Sequence, residues 1–228
     1  MAITLAFDVY GTLINTHGVI SALEKLVGNK APDFSRMWRE KQLEYSFRRG
    51  LMQNYENFSV CIRNALDFTI AYFKLELSNE NRNELIHLYN QLPAFGDVEI
   101  GLNEAKKAGF RIFAFSNGSA EIVESLLISA GIRDYFLGVV SVDEVKTFKP
   151  NPAVYSHFLK KADALGSETW LISSNPFDVI GAVSFGMRAV WVKRTPEAIF
   201  DPWGIEPTLT SNGLLSLAEQ IKFKSMPE

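Results

Sequence analysis

The sequence contains few cysteines and histidines, and it has no excess of positive charge. A single cysteine, Cys61, cannot form an internal disulfide, so a cytoplasmic protein is expected. The formal net charge of −3 gives no basic surface for nucleic acid or an anionic membrane. No apolar run approaches the roughly 18 residues that cross a bilayer, and the first residues lack the basic leader of a signal peptide. The three histidines show no spacing typical of a catalytic triad or a metal site.

The sequence does contain the material for a large hydrophobic core. Apolar residues make up 47% and charged residues 21% of the 228 positions, and 17 of these are phenylalanine. This composition excludes disordered and collagen-like chains. The length suits one domain with an insertion, or two small domains.

Short apolar runs that stop at polar turns recur along the chain, and this pattern is typical of buried parallel strands. We predict strands at 3–7, 111–115, 169–172, 137–141 and 188–192, the last two being the weaker. Helical patterns lie at 121–130, 152–164 and 178–185. From about residue 95 onward, this alternation predicts a parallel sheet covered by helices on both faces.

Residues 16–94 break the alternation. Apolar positions between Phe58 and Phe73 follow helical spacing, and 35–49 form a second amphipathic stretch. No convincing strand separates these helices. The sequence therefore predicts a helical cap inserted after the first strand and laid over the sheet.

Polar side chains follow three of the predicted strands. They are Asp8 and Thr12 after the first, Ser116 and Asn117 after the second, and Ser173, Asn175 and Asp178 after the third. Lys149 lies just before a predicted helix. Because open parallel sheets bind ligands beyond the carboxyl ends of their strands, we expect these side chains to form one site.

Each of these residues also has an ordinary structural explanation. Asp8 fits a turn, Ser116 and Ser173 fit helix N-caps, and Lys149 fits a solvated surface lysine. Their occurrence together at successive strand ends favours the functional interpretation.

Four motifs in the chain resemble those of the haloacid dehalogenase superfamily, and most closely its L-2-haloacid dehalogenase branch. They are Asp8-Val9-Tyr10-Gly11-Thr12-Leu13, Ser116-Asn117-Gly118, Lys149-Pro150, and Ser173-Ser174-Asn175 with Asp178. The stretch from Trp38 to Tyr45 is similar to that branch's substrate-binding helix. The fold implied is α/β, with a Rossmann-like parallel-sheet core at 1–15 and 95–228 and an inserted helical cap at 16–94.

The resemblance implies an aspartate nucleophile, Asp8. Phosphatases of the superfamily place a second aspartate at the position of Tyr10, as a general acid. Tyrosine cannot supply a carboxylic proton near neutral pH, whereas a departing halide needs none. A hard cation needs oxygen ligands. Asp178 is the one carboxylate that the fourth motif offers, and Lys149 adds positive charge, so neither a catalytic metal nor another cofactor is expected.

Substrate binding calls for a cation that recognises a carboxylate. Arg39 is the best candidate because a guanidinium can bind a carboxylate bidentately, although an arginine in a charged helix can also be simply solvated. The resemblance adds contact of Arg39 with the departing halide, and contact of Ser116 and Asn117 with the substrate carboxylate. It also implies a pocket around the halogen and alkyl group, lined by Tyr10, Gln42, Leu43, Phe58 and Phe177. Phe58 equally fits a core position.

The function implied is hydrolysis of short (S)-2-haloacids to (R)-2-hydroxyacids and halide through an ester on Asp8. Lys149 would hold the Asp8 carboxylate, supported by Thr12 and Ser173, and Asp178 with Asn175 would orient the hydrolytic water. Two alternatives stay open: a Mg²⁺-dependent phosphatase of the same superfamily, and a non-catalytic protein that binds small acids. The resemblance also implies a homodimer, for which the sequence offers no assignable interface.

Overall fold

A computed structural model describes residues 3–225 of the chain. Its six strands are β1 (Thr4–Phe7), β2 (Arg111–Ser116), β3 (Gly138–Ser141), β4 (Thr169–Ser173), β5 (Arg188–Val192) and β6 (Leu209–Ser211). They form one parallel sheet in the order β3-β2-β1-β4-β5-β6. All five predicted strands are confirmed, and the short edge strand β6 was not predicted.

Nine α-helices accompany this sheet within residues 3–225. They are α1 (Ile20–Val27), α2 (Ala31–Leu51), α3 (Phe58–Tyr72), α4 (Asn79–Tyr89), α5 (Val98–Lys107), α6 (Ala120–Ser129), α7 (Pro152–Ala162), α8 (Pro176–Ser184) and α9 (Leu217–Ser225). The predicted helices are confirmed with ends shifted by a few residues. Within the described part of the chain, every helix is too short or too polar to cross a membrane.

Residues 16–93, all of which are described, contain helices and no strand. The longest of these helices, α2, packs along α3. Trp38 of α2 is 1% exposed and donates an indole hydrogen bond to the carbonyl of Ile62, 2.9 Å away. The ring is thus removed from water while its single N–H donor keeps a hydrogen-bond partner.

The chain leaves the sheet layer and returns to it at adjacent points. The amide of Asn15 donates to the carbonyl of Pro93 at 2.9 Å, and the amide of Phe95 donates to the carbonyl of Leu13 at 3.0 Å. This pairing fixes where the helical segment joins the sheet.

The sheet core positions the site because β1 lies at its centre. Each residue of β1 is buried, as expected for a strand with helices on both faces. Strand order reverses beside β1, since β2 and β3 follow on one side and β4 and β5 on the other. This is the switch point at which open α/β sheets form a ligand crevice, and the residue that follows β1 there is Asp8.

Candidate active site

The Asp8 carboxylate is held by four donors from three separate segments. Its Oδ2 accepts hydrogen bonds from Thr12 Oγ1 and Asn175 Nδ2, both at 2.8 Å, and from Ser173 Oγ at 3.4 Å. Its Oδ1 lies 3.2 Å from Lys149 Nζ. Asp8 is 7% exposed. One carboxylate oxygen is therefore saturated with donors, and the other has a single charged partner.

The loop after β1 is locked onto the loop after β4. Thr12 Oγ1 accepts from the amide of Ser174 at 2.8 Å, and Ser174 Oγ donates to the carbonyl of Gly11 at 2.8 Å. Gly11 has a φ of +85°, a conformation that a side chain would strain. The sequence Tyr10-Gly11-Thr12 thus turns back so that Thr12 reaches the Asp8 carboxylate.

Lys149 is a buried ammonium between two carboxylates. Its Nζ donates to Asp178 Oδ2 at 2.8 Å and to the carbonyl of Phe115 at 2.9 Å, besides its contact with Asp8. Burial by itself lowers the pKa of Lys149, but the charges of Asp178 and Asp8 outweigh it and raise that pKa. The ammonium is therefore charged at neutral pH.

Asp178 lies in the first turn of helix α8 and is completely buried. Its Oδ1 accepts from Tyr155 OH at 2.9 Å, and its Oδ2 accepts from Lys149. Burial raises the pKa of the Asp178 carboxyl, the charge of Asp8 raises it further, and Lys149 opposes both effects. Both carboxylate oxygens face protein partners, so Asp178 reaches the site through Lys149 rather than by contact with the cavity.

Ser116 and Asn117 close the core side of the site at the end of β2. Ser116 Oγ accepts from the amide of Gly118 at 3.1 Å, which leaves its hydroxyl hydrogen to donate elsewhere. Asn117 Oδ1 accepts from the amide of Lys149 at 3.0 Å, so the amide nitrogen of its side chain is left as a donor. Both residues are buried and line the central cavity.

Arg39 of α2 approaches the strand ends from the opposite side. Its Nη2 donates to the carbonyl of Tyr10 at 3.2 Å, and its Nη1 donates to Gln42 Oε1 at 3.4 Å. Gln42 is fully buried, and its Oε1 also accepts from Tyr89 OH at 2.8 Å. Gln42 thus lies behind Arg39 and orients it, whereas the sequence predicted contact between Gln42 and substrate.

Tyr10 forms an aromatic wall above the carboxylate. Its ring stacks on Tyr89 at 5.9 Å between centroids and lies 5.8 Å from Phe58. Burial raises the pKa of its hydroxyl well above the ordinary value. The Tyr10 hydroxyl and Gln42 Nε2 are buried without a hydrogen-bond partner among the described residues. Such unpaired groups are uncommon in folded proteins.

These side chains enclose a cavity of about 10 Å³ at the strand ends, room for roughly one water molecule. It is lined by Asp8, Tyr10, Arg39, Leu43, Phe58, Ser116, Asn117, Lys149, Asn175 and Phe177. The structure therefore brings together most of the predicted site residues. Thr12, Ser173, Asp178 and Gln42 lie outside this lining and contact its members.

Besides Tyr89, two residues that contact this cluster were missed by sequence reasoning. Tyr155, on α7, looks like one more core aromatic in the sequence, and no sequence signal points to its hydrogen bond with Asp178. Arg194 follows β5, pairs with Asp97 at 2.7 Å and donates from Nε to the carbonyl of Thr12 at 3.1 Å. It joins the loop after β1 to the point where the chain returns from the helical segment.

The geometry defines an α/β protein whose site is a carboxylate at the end of the central strand. A family model described as haloacid dehalogenase-like hydrolase matches residues 4–186, and the chain belongs to this family.

Curated relatives cover nearly the whole chain. The (S)-2-haloacid dehalogenase of Pseudomonas sp. (strain YL) is 34% identical over 94% of this chain and 92% of its own length. Haloacetate dehalogenase H-2 of Moraxella sp. (strain B) is 37% identical over 90% and 92%. The L-2-haloacid dehalogenase of Xanthobacter autotrophicus, solved with chloropropionic acid covalently bound, matches with a TM-score of 0.92 and 28% identity over 100% of both chains.

Proposed function

We propose that the protein is a hydrolase acting on carbon–halide bonds, and that it converts short (S)-2-haloacids to (R)-2-hydroxyacids and halide. The observation that carries the proposal is the Asp8 carboxylate, fixed by Thr12, Asn175 and Lys149 at a cavity that Arg39 also lines. Relatives named (S)-2-haloacid dehalogenase at 34% identity support it.

The first step is displacement at carbon 2. Asp8 Oδ1 is the better placed oxygen because Oδ2 already accepts three hydrogen bonds. An electron pair of Oδ1 forms the new C–O bond as the C–halogen bond breaks, and the halide leaves with the bonding pair. Attack from the side opposite the halogen inverts the configuration at carbon 2.

Arg39, Ser116 and Asn117 are the groups that bind the substrate in this proposal. Arg39 is held by Tyr10 and Gln42, so its fork is oriented before substrate arrives. It binds the carboxylate and meets the departing halide, while Ser116 and Asn117 donate to the carboxylate from the core side. Tyr10, Leu43, Phe58 and Phe177 enclose the halogen and the alkyl group.

The second step is hydrolysis of the ester. Water attacks the Asp8 carbonyl carbon, the acyl C–O bond breaks, the hydroxyacid leaves, and one proton is released in each cycle. Thr12, Ser173 and Asn175 stabilise charge on the carbonyl oxygen. Asp178 is buried outside the cavity, so in this proposal it holds Lys149 in place. The sequence predicted instead that Asp178 orients the hydrolytic water.

The site does not suit a divalent cation. The space between Asp8 and Asp178 is occupied by the Lys149 ammonium, 3.2 and 2.8 Å from their oxygens. Within residues 3–225, no three carboxylate, imidazole or thiol groups cluster as metal ligands. Tyr10 stands where the phosphatases carry a general acid, and its raised pKa keeps its proton in place. These features disfavour the phosphatase alternative.

The proposal extends to domain organisation and location. Residues 16–94 form a cap, joined to a core of 1–15 and 95–228 at the paired crossing of Asn15 with Pro93. A cytoplasmic location is supported by the lone, buried thiol of Cys61. A homodimer is expected from the family resemblance, and light scattering on the purified protein would test it.

The test of the proposed function is halide release from (S)- and (R)-2-chloropropionate, each with and without EDTA. We expect release from the S enantiomer alone, unchanged by EDTA, with (R)-lactate as product. Activity that EDTA abolishes and Mg²⁺ restores would contradict the proposal. Release of phosphate from small phosphate esters would favour the alternative.

A further inference from the structure

An apolar groove of about 440 Å³ lies next to the catalytic cavity, between the end of α2 and the start of α7. Its walls include Phe47, Gly50 and Leu51 on one side and Phe148, Pro150 and Pro152 on the other. The cavity at Asp8 holds about 10 Å³. The groove therefore offers far more room than the space in which the reacting carbon must sit.

Three polar side chains along the groove are already engaged. Ser46 Oγ donates to the carbonyl of Leu43 at 2.7 Å, and Asn151 Oδ1 accepts from the amide of Ala153 at 2.9 Å. The Lys149 ammonium points away, to its two carboxylates. The surface that remains suits a hydrocarbon and gives no charged anchor of its own.

Phe47 and Phe177 lie where the two spaces meet. Phe47 lines the groove, Phe177 lines the cavity, and their rings make an edge-to-face contact at 5.0 Å. Lys149 lines both spaces. Both phenylalanines are only partly buried, so their rings are not confined by dense packing on every side.

We propose that the groove is the binding site for the alkyl chain of longer 2-haloacids, and that Phe47 limits the affinity for long chains by narrowing the passage beside Phe177. The inference rests on the proposed function. The carboxylate and carbon 2 occupy the cavity near Arg39 and Asp8, and carbons from about the fourth onward pass between the two rings. Burial of each methylene there tightens binding roughly fourfold, the equivalent of about 0.8 kcal/mol.

Gly50 offers a variant that fills the groove without touching the cavity. A β-carbon at this position would meet Thr147 Oγ1 at 3.5 Å and Phe148 at 3.9 Å, ordinary contact distances. Replacement of a helical glycine also favours the helix. Gly50→Leu should therefore fold and place its side chain in the groove, while Phe47→Ala should open the passage.

The experiment measures dissociation constants of straight-chain carboxylates from propanoate to octanoate by titration calorimetry. The proteins compared are the full-length wild type, Phe47→Ala, Gly50→Leu and the double variant. Phe68→Ala is the matched control, because Phe68 is also a partly buried ring of the helical segment, 6.3 Å from Tyr45 and outside both spaces. The wild type and Phe68→Ala should gain affinity steadily with each added methylene.

Gly50→Leu should bind propanoate like the wild type and gain nothing beyond butanoate. Phe47→Ala should bind octanoate at least tenfold more tightly than the wild type does, and the double variant should lose that gain. Equal slopes in the wild type and Gly50→Leu would overturn the inference. So would loss of a dimer in Phe47→Ala with an unchanged chain-length profile, because the groove would then be covered by a second copy.

Calorimetry needs no turnover, so this test is separate from that of the proposed function. Absence of halide release with the predicted chain-length profile would refute the dehalogenase proposal and leave the alkyl site standing. Halide release with a flat profile would refute the alkyl site alone.

Discussion

The two sides of the cavity differ in how completely their polar groups are paired. On the sheet side, Asp8, Lys149 and Asp178 are each held by hydrogen bonds with two or more partners. On the side that faces the helical segment, the hydroxyl of Tyr10 and the amide nitrogen of Gln42 are buried without partners among the described residues. That segment also contributes Arg39 and the apolar side chains of Leu43 and Phe58 to the lining.

This difference matches a division of labour. Groups that must keep one geometry through bond making are fixed by mutual hydrogen bonds and opposite charges before substrate arrives. Groups that recognise a variable ligand present apolar surface, against which the alkyl group of a bound haloacid would pack. Variants of the charged groups should therefore lower the rate of the reaction, and variants of the apolar lining should change substrate preference.

The largest effect is expected on the sheet side. Lys149→Met removes the ammonium that neutralises two buried carboxylates, so kcat should fall by about 10²–10³-fold and the free energy of unfolding should drop by about 3–5 kcal/mol. The rate of halide release, measured at a temperature at which the variant is still folded, gives the change in kcat. Lys146→Met is the control, because Lys146 pairs with Asp143 at the surface with its side chain 64% exposed. Similar losses in both variants would remove the special role of Lys149.

Arg39→Lys should have the next largest effect, on the helical side. A lysine keeps the charge but not the planar fork, so kcat/KM for (S)-2-chloropropionate should fall by about 10–100-fold through the loss of charge-assisted hydrogen bonds. Arg48→Lys is the matched control, since Arg48 lies on the same helix, 63% exposed and paired with Glu44. An equal loss at both positions would sink the assignment of Arg39.

Phe177→Ala should change the preference for substrate chain length more than it changes kcat. The ring lines the cavity and takes no part in bond making, so kcat for haloacetate should stay close to the wild-type value. Relative kcat/KM for longer haloacids should shift by about 1–3 kcal/mol per methylene. Initial rates along a series of chain lengths give the answer. A profile parallel to that of the wild type would place Phe177 outside the substrate pocket.

The smallest effect concerns a contact between the two sides. Tyr55 OH donates to Asp143 Oδ1 at 2.7 Å, and this hydrogen bond lowers the pKa of Asp143 below its ordinary 3.8. A depressed carboxyl pKa stabilises the fold above the unfolded-state pKa and loses that contribution as pH falls through the folded-state value. Tyr55→Phe should therefore cost about 1 kcal/mol of unfolding free energy at pH 7.

Denaturant unfolding of Tyr55→Phe and the wild type at several pH values measures this contribution. The gap between the two proteins should narrow as pH falls below about 4. Tyr72→Phe, at an exposed tyrosine of the same helical layer, should show no gap at any pH. A gap of constant size from pH 7 to pH 3 would show that the contact does not involve the charged form of Asp143.

The sheet and most of the site could be predicted because the end of a buried strand is recognisable in the sequence. Asp8, Ser116 and Ser173 each stand at the point where a buried run meets a polar turn, and parallel strands bring such points to one edge. Strand β6 was not predicted because only one of its three residues, Leu209, is apolar. Arg194 escaped because its partners, Asp97 and Thr12, are far away in sequence.

The sequence could not reveal which polar residues face the cavity. Asp178 and Asn175 are three residues apart, yet Asn175 lines the cavity while Asp178 is buried against Tyr155 and Lys149. That choice depends on the direction of α8 and on the aromatic ring that α7 supplies. The family resemblance implied that Gln42 lines the pocket, and in the structure its side chain contacts Tyr89 and Arg39.

The central claim is that Asp8 forms a covalent ester with substrate, and one isotope experiment tests it most directly. With enzyme in excess over (S)-2-chloropropionate in H₂¹⁸O, a single turnover should give unlabelled hydroxyacid and leave ¹⁸O in the peptide that contains Asp8, read by mass spectrometry. Direct attack of water on carbon 2 would instead put ¹⁸O into the product in that first turnover. Labelled product with an unlabelled Asp8 peptide would contradict the account.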